Sequence, residues 1–260
     1  MRSGRALARL VALGIWTGGC VAIWLLVGVL FRVVAPKRAV SWRQWAVQRW
    51  ARGVARLIGM RHRPQGEPPS PPFFLATNHL SYLDIILLQC HVRGVFIAKS
   101  EMRSWPVLGL LARLTGTIWV NRAVRSDAVR ALDSIGASIA QGDGVMLFPE
   151  GTTSAGSGLL PMKASLLEWA VQERFPVHYA AVGYRLEDER SGASARETIC
   201  WWGNVGFGRH AWGVLQLRRF EASVSFGAGP VRGENRSELL ERLREGIAGL
   251  FVPIPSPDRS

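Results

Sequence analysis

The chain has 260 residues, enough for one sizeable α/β domain with an appendage, and its 48% apolar residues permit a real core and exclude a disordered protein. Thirty-two Lys and Arg against 19 Asp and Glu give a net charge of +13. Such a balance favours a polyanionic partner, either nucleic acid or an anionic membrane surface.

Residues 10–31 carry no charge, with Arg2, Arg5 and Arg9 before them and Arg32, Lys37 and Arg38 after. They match the ~20 residues that cross a bilayer. A cleaved signal peptide fits poorly, because the apolar run is long and Pro36 follows Ala35 where cleavage would fall. Lys and Arg are in excess on the C-terminal side of the run, which places the body of the protein in the cytoplasm by the positive-inside rule. Residues 41–60 read as an amphipathic helix, with Trp42, Ala46, Trp50, Val54, Leu57 and Ile58 on one arc and Arg49, Arg52 and Arg56 on the other. A basic, Trp-bearing helix behind an apolar span suits a lipid headgroup layer; the alternative is packing on the globular domain.

Residues 63–72 contain five prolines and read as a stiff, extended linker. The expected organisation is therefore membrane-anchoring helices over 1–62, a linker over 63–72, a domain over 73–232, and a C-terminal helix and tail over 233–260. Within the domain, short apolar runs at 73–76, 95–98, 117–120, 145–148, 177–182 and 224–226 alternate with helical patterns. That alternation predicts an α/β fold, a mostly parallel central sheet flanked by helices. Residues 124–140 read as a crossover helix and 238–251 as a closing helix.

The first apolar run feeds Asn78-His79-Leu80-Ser81-Tyr82-Leu83-Asp84. Ser81 and Asp84 fit a capping box, so a helix is expected to start at Ser81, and Asp84 could serve only to satisfy backbone N–H groups. Because His79 precedes the cap, its ring can also fold back onto Asp84. The carboxylate would then fix the imidazole tautomer and leave the outer nitrogen free as a base. The other histidines, His62, His91, His178 and His210, lack such a partner and read as structural. The run at 145–148 feeds a second polar turn, Pro149-Glu150-Gly151-Thr152-Thr153-Ser154. Cys20, Cys90 and Cys200 lack metal-ligand spacing and read as buried thiols.

The Asn78-His79-x4-Asp84 block, the segment Gly116-Thr117-Ile118-Trp119-Val120-Asn121-Arg122, the block Phe148-Pro149-Glu150-Gly151-Thr152 and the segment Leu160-Pro161-Met162-Lys163 stand in this order. In this the sequence resembles the lysophospholipid acyltransferase family, the 1-acylglycerol-3-phosphate acyltransferases, over residues 73–230. The resemblance implies an O-acyltransferase on the cytoplasmic face of a bacterial inner membrane. It would move a fatty acyl chain from acyl-carrier protein or acyl-CoA to the sn-2 hydroxyl of 1-acyl-sn-glycerol 3-phosphate, giving phosphatidic acid. His79 would be the general base and Asp84 its orienting partner. Asn78, Arg122, Glu150, Gly151, Thr152 and Lys163 would serve the substrate, with Gly151 and Thr152 turning backbone N–H groups toward anionic oxygen. No metal or cofactor is implied; the partners are membrane phospholipids, the lysolipid acceptor and the acyl donor, with no nucleic acid. Many phosphatidate-making members carry Arg after Glu-Gly-Thr, and this chain has Thr153. A hydroxyl does not replace a bidentate guanidinium. A lyso-ornithine lipid or another phosphate-free lysolipid therefore stays open as the acceptor. A third reading, a noncatalytic protein that binds anionic membranes, rests on charge alone.

Overall fold

All five residues of strand β2 (Phe73–Thr77) are buried, because the strand lies inside a seven-stranded sheet covered on both faces. The structure is a computed structural model that describes residues 2–121, 124–187 and 194–255. The other strands are β1 (Met60–Gln65), β3 (Gly94–Lys99), β4 (Ile118–Val120), β5 (Gly144–Leu147), β6 (Val177–Leu186) and β7 (Phe220–Phe226). Their order is β1-β7-β6-β2-β5-β3-β4, and every neighbouring pair is parallel except β6 and β7. The expected mostly parallel sheet flanked by helices is what the chain forms.

Side-chain alternation assigns the two faces. Phe73 and Leu75 join a core with α2 (Pro36–Ile58), α3 (Leu83–His91) and α8 (Phe207–Gln216). Phe74 and Ala76 join a second core with α5 (Arg125–Ala140), α6 (Glu168–Gln172) and α9 (Arg236–Leu250). Two shorter helices complete the fold, α4 (Leu108–Leu114) after β3 and α7 (Ala195–Thr198) after β6.

The expected boundary between anchor and domain needs correction. Arg63, Pro64 and Gln65, read as the start of a linker, belong to β1, which among the described residues pairs only with β7. An edge strand tolerates proline because one row of its backbone groups has no ladder partner to lose. Nor is α2 separate from the domain. Its Ala51, Val54, Ala55 and Ile58 are buried in the first core. Arg43 pairs with Asp143 before β5 and donates to Thr115 O at 2.7 Å, while Gln44 Nε2 donates to Asp143 Oδ1 at 2.8 Å.

The Trp-bearing arc of α2 also has another role than the expected headgroup contact, since helix α1 (Arg2–Val34) covers it. Trp50 Nε1 donates to Thr17 Oγ1 and Trp16 Nε1 donates to Trp50 O, each at 3.1 Å, and Trp42 Nε1 donates to Trp24 O at 3.4 Å. The pairings run in opposite directions along the two helices, so α1 and α2 form an antiparallel hairpin. Gly53 makes the close approach possible: a Cβ there would lie 2.2 Å from the Trp16 ring. The first turns of α1 are tied down too. Arg5 donates to Gln216 O at 3.0 Å, and Arg9 to Leu217 O at 2.6 Å and Arg218 O at 2.9 Å. These guanidinium groups sit at the C-terminal end of α8, the negative end of its dipole. Between these contacts α1 is long and apolar enough to cross a membrane, and its apolar stretch lies outside the core.

Candidate active site

The parallel strands β2, β5, β3 and β4 release their C-terminal ends along one edge of the sheet, where open α/β sheets place their ligands. The Asn78 to Asp84 block follows β2 and the Glu150 block follows β5, so adjacent strands bring together two segments that the sequence keeps about 70 residues apart.

Asn78 is fully buried, and its amide is used twice by β6: Val182 N donates to Oδ1 at 2.8 Å, and Nδ2 donates to Val182 O at 3.1 Å. These bonds fix the end of β2 and shape the turn, leaving the next residue to face the site. The His79 Nδ1 to Asp84 Oδ2 distance is 2.7 Å, with Asp84 fully buried and the His79 side chain 16% exposed. The imidazole stacks on Phe148, with centroids 3.8 Å apart and planes 11° apart, and Phe148 stacks on Phe96. Held on one nitrogen and one face, the ring has Nε2 left for a substrate proton.

The capping box forms only by half. Helix α3 begins at Leu83, not Ser81, and Ser81 Oγ is buried without a partner among the described residues. Asp84 Oδ2 accepts from Ser81 N at 3.0 Å and also from Leu80 N at 2.7 Å. One Asp84 oxygen therefore meets two backbone N–H groups and the imidazole Nδ1 together. Oδ1 accepts the phenol of Tyr184, on β6, at 2.6 Å.

Glu150 is 4% exposed. Its Oε1 accepts from His79 N at 3.4 Å and its Oε2 has no partner among the described residues. Burial pushes its carboxyl up to about 7, the negative charge of Asp84 adds to the rise, and the backbone N–H groups of His79 and Leu160 oppose it. Gly151, at φ +69°, lets the chain turn, and its N–H is donated to Phe148 O at 3.1 Å. That corrects one of the two backbone donors expected to face anionic oxygen; Thr152, exposed, is the remaining one. Ser154 N donates to His79 O at 2.9 Å and Lys163 N to Pro149 O at 2.9 Å, which folds the loop around Glu150 and keeps Lys163 beside it with an exposed side chain. Arg122 lies outside the described residues, after β4 and its following Asn121.

The structure adds residues that the sequence does not single out. Tyr184 is one, and Lys99, exposed at the C-terminal end of β3 on the strand between β5 and β4, is another. Trp201 borders the same turn: its backbone N–H donates to Leu80 O at 2.8 Å, and its ring meets Tyr82 and Phe207 edge-on. Three of the four other histidines are engaged elsewhere. His62 and His91 pair at 3.1 Å, and His210 lies 3.2 Å from the Tyr82 hydroxyl and 3.1 Å from Cys200 O.

Residues 56–185 match the family model described as Acyltransferase. A lyso-ornithine lipid O-acyltransferase of Rhizobium meliloti is 37% identical over 79% of this chain and 74% of its own length. A 1-acyl-sn-glycerol-3-phosphate acyltransferase of Neisseria meningitidis is 34% identical over 81% of this chain and 82% of its own. The crystal structure of the 1-acyl-sn-glycerophosphate acyltransferase PlsC from Thermotoga maritima superposes with a TM-score of 0.69 at 19% identity, covering 98% of this chain and 100% of that one, which shows a shared fold. Two buried blocks that meet at one sheet edge, a family model spanning both, and relatives at this level of identity place the chain in the acyltransferase family of enzymes.

Proposed function

We propose that this protein transfers a fatty acyl chain from acyl-carrier protein or acyl-CoA to a hydroxyl of a lysolipid, with His79 as general base. The observation that carries the reading is the contact between His79 and the buried Asp84, which keeps Nδ1 occupied and points the base function to Nε2. Nε2 takes the proton of the acceptor hydroxyl as its oxygen attacks the thioester carbonyl carbon. The C–S bond then breaks, and the thiolate leaves with a proton returned from the imidazolium. Asp84 stabilises that imidazolium without taking its proton. The Thr152 backbone N–H supports the oxyanion that forms on the way. The scheme assigns no step to a metal or a bound cofactor.

The acceptor placed first is the sn-2 hydroxyl of 1-acyl-sn-glycerol 3-phosphate, giving phosphatidic acid. Burial drives the Glu150 carboxyl toward its neutral form, so it does not repel a phosphate, and its unpartnered Oε2 can donate to a substrate oxygen. Lys99 and Lys163 stand exposed at the same sheet edge, and Arg122 follows β4 in the sequence. The second reading, a lyso-ornithine lipid acceptor, is favoured by Thr153, which leaves no guanidinium after Glu-Gly-Thr, and by the relative of that name from Rhizobium meliloti.

The hairpin of α1 and α2 supports attachment to the cytoplasmic leaflet of the inner membrane by insertion in the plane. If α1 crossed the bilayer, α2 would run beside it and carry the exposed Arg49 and Arg56 into hydrocarbon, at several kcal/mol each. With both helices lying along the surface, the apolar side of α1 meets acyl chains and the basic residues stay at the headgroups.

Purified protein in detergent, given acyl-carrier protein and acyl-CoA thioesters with lysophosphatidate and lyso-ornithine lipid side by side, tests the acceptor. Phosphatidate is the expected product. Product only from the ornithine lipid would move the acceptor to the second reading, and no transfer to either would remove both.

A further inference from the structure

We propose that Tyr184 is a positioning residue for the catalytic pair, holding the Asp84 carboxylate in the plane in which it orients His79. Oδ2 of Asp84 carries three donors, from His79, Leu80 and Ser81. These alone would let the carboxylate pivot about that one oxygen. The Tyr184 O–H on Oδ1 at 2.6 Å is the second anchor, at the length of a charge-assisted O–H···O⁻ bond. It also gives a hydrogen bond to an oxygen that would otherwise be left bare in an apolar core.

The position of Tyr184 follows from the length of β6. β2 ends at Thr77, paired with Ala180, whereas β6 runs on to Leu186 and backs onto the turn that follows β2. Along this extension the Val182 main chain takes the Asn78 amide at one end of the turn, and two residues further on the Tyr184 side chain reaches Asp84 at the other. The phenol is itself buried, packed near Phe220. The ionisable groups around it are Asp84 on α3, Tyr82 in the turn and Cys200 after α7, and Asp84 in turn interacts with Glu150 after β5. Burial first, then the Asp84 charge, raise the Tyr184 pKa well above its ordinary value, so it remains a donor throughout the working range.

The inference rests on the reading of His79 as base. Without the phenol the Asp84 carboxylate loses a donor and its second anchor, and its less compensated charge holds the His79 imidazolium more strongly. The acid limb of the kcat/KM profile therefore moves to higher pH.

The test is Tyr184→Phe in the full-length protein, with wild type and His79→Ala alongside, measuring kcat, KM for acceptor and donor, the pH profile of kcat/KM, and the NMR titration of the His79 ring. Expected are a kcat lower by about tenfold, an unchanged KM, and an acid limb and His79 titration moved up by about half a pH unit or more. A folded variant with wild-type kcat and an unmoved profile would reduce Tyr184 to core packing and overturn the proposal. If Tyr184→Phe does not fold, Tyr184→3-fluorotyrosine decides. A more acidic phenol is a stronger donor, so the acid limb must move down, and an unmoved limb overturns the proposal. Wild-type turnover in His79→Ala would instead sink the general-base reading, whatever Tyr184 does.

Discussion

Glu150 shows how burial sets the chemistry of a residue that looks, in sequence, like a fixed negative charge. Its folded value of about 7 lies above the ordinary 4.5, so the unfolded chain releases this proton first as pH rises. Glu150 therefore costs no stability below about pH 4.5 and a growing amount up to about pH 7. Above that the cost levels off at about 3 kcal/mol, since each pH unit between the two values is worth about 1.4 kcal/mol. Glu150→Gln keeps an acceptor for the His79 and Leu160 amides and removes the titration. Denaturant unfolding should show the variant equal to wild type near pH 4 and more stable near pH 8. A difference independent of pH would mean that the carboxyl is not held neutral by the fold. The His79 and Asp84 pair was legible in the sequence because the two residues are five apart and the contact is local. Tyr184 was not, because it reaches Asp84 from 100 residues away through sheet topology that no local pattern encodes.

At the scale of elements, the apolar runs located β2 to β7, since buried parallel strands read as short continuous apolar segments. β1 escaped because Arg61, His62, Arg63 and Pro64 give it the look of a basic, proline-bearing linker, which an edge position permits. The helix at 41–60 was visible, but its two packing faces were not separable by periodicity. One arc meets α1 through Trp42 and Trp50, and the other meets the core through Ala51, Val54 and Ile58. This division of labour predicts different results from two truncations. Removing residues 1–34 takes away the apolar helix and leaves α2 in place, so the remainder should fold, as judged by a cooperative thermal transition, and no longer sediment with membranes. Removing residues 1–59 strips Ala51, Val54, Ala55 and Ile58 from the core and should leave no cooperative transition. Membrane retention without α1 would locate the attachment elsewhere on the surface.

Across the whole molecule, the sheet edge gathers the chemistry and the helical hairpin sets its relation to the membrane. Arg5 and Arg9 fasten one end of α1 to α8, while α2 is fastened to the sheet through Arg43 and Asp143. The hairpin and the site thus form one connected body. In the proposed reaction His79, oriented by Asp84, removes the proton from a lysolipid hydroxyl. The most direct test is the rate of acyl transfer by purified His79→Ala beside wild type, with thermal unfolding as the check on folding. The expected result is a loss of about 10³-fold, within the range for removal of a general base, with the unfolding transition retained. A folded His79→Ala protein that turns over at the wild-type rate would contradict it.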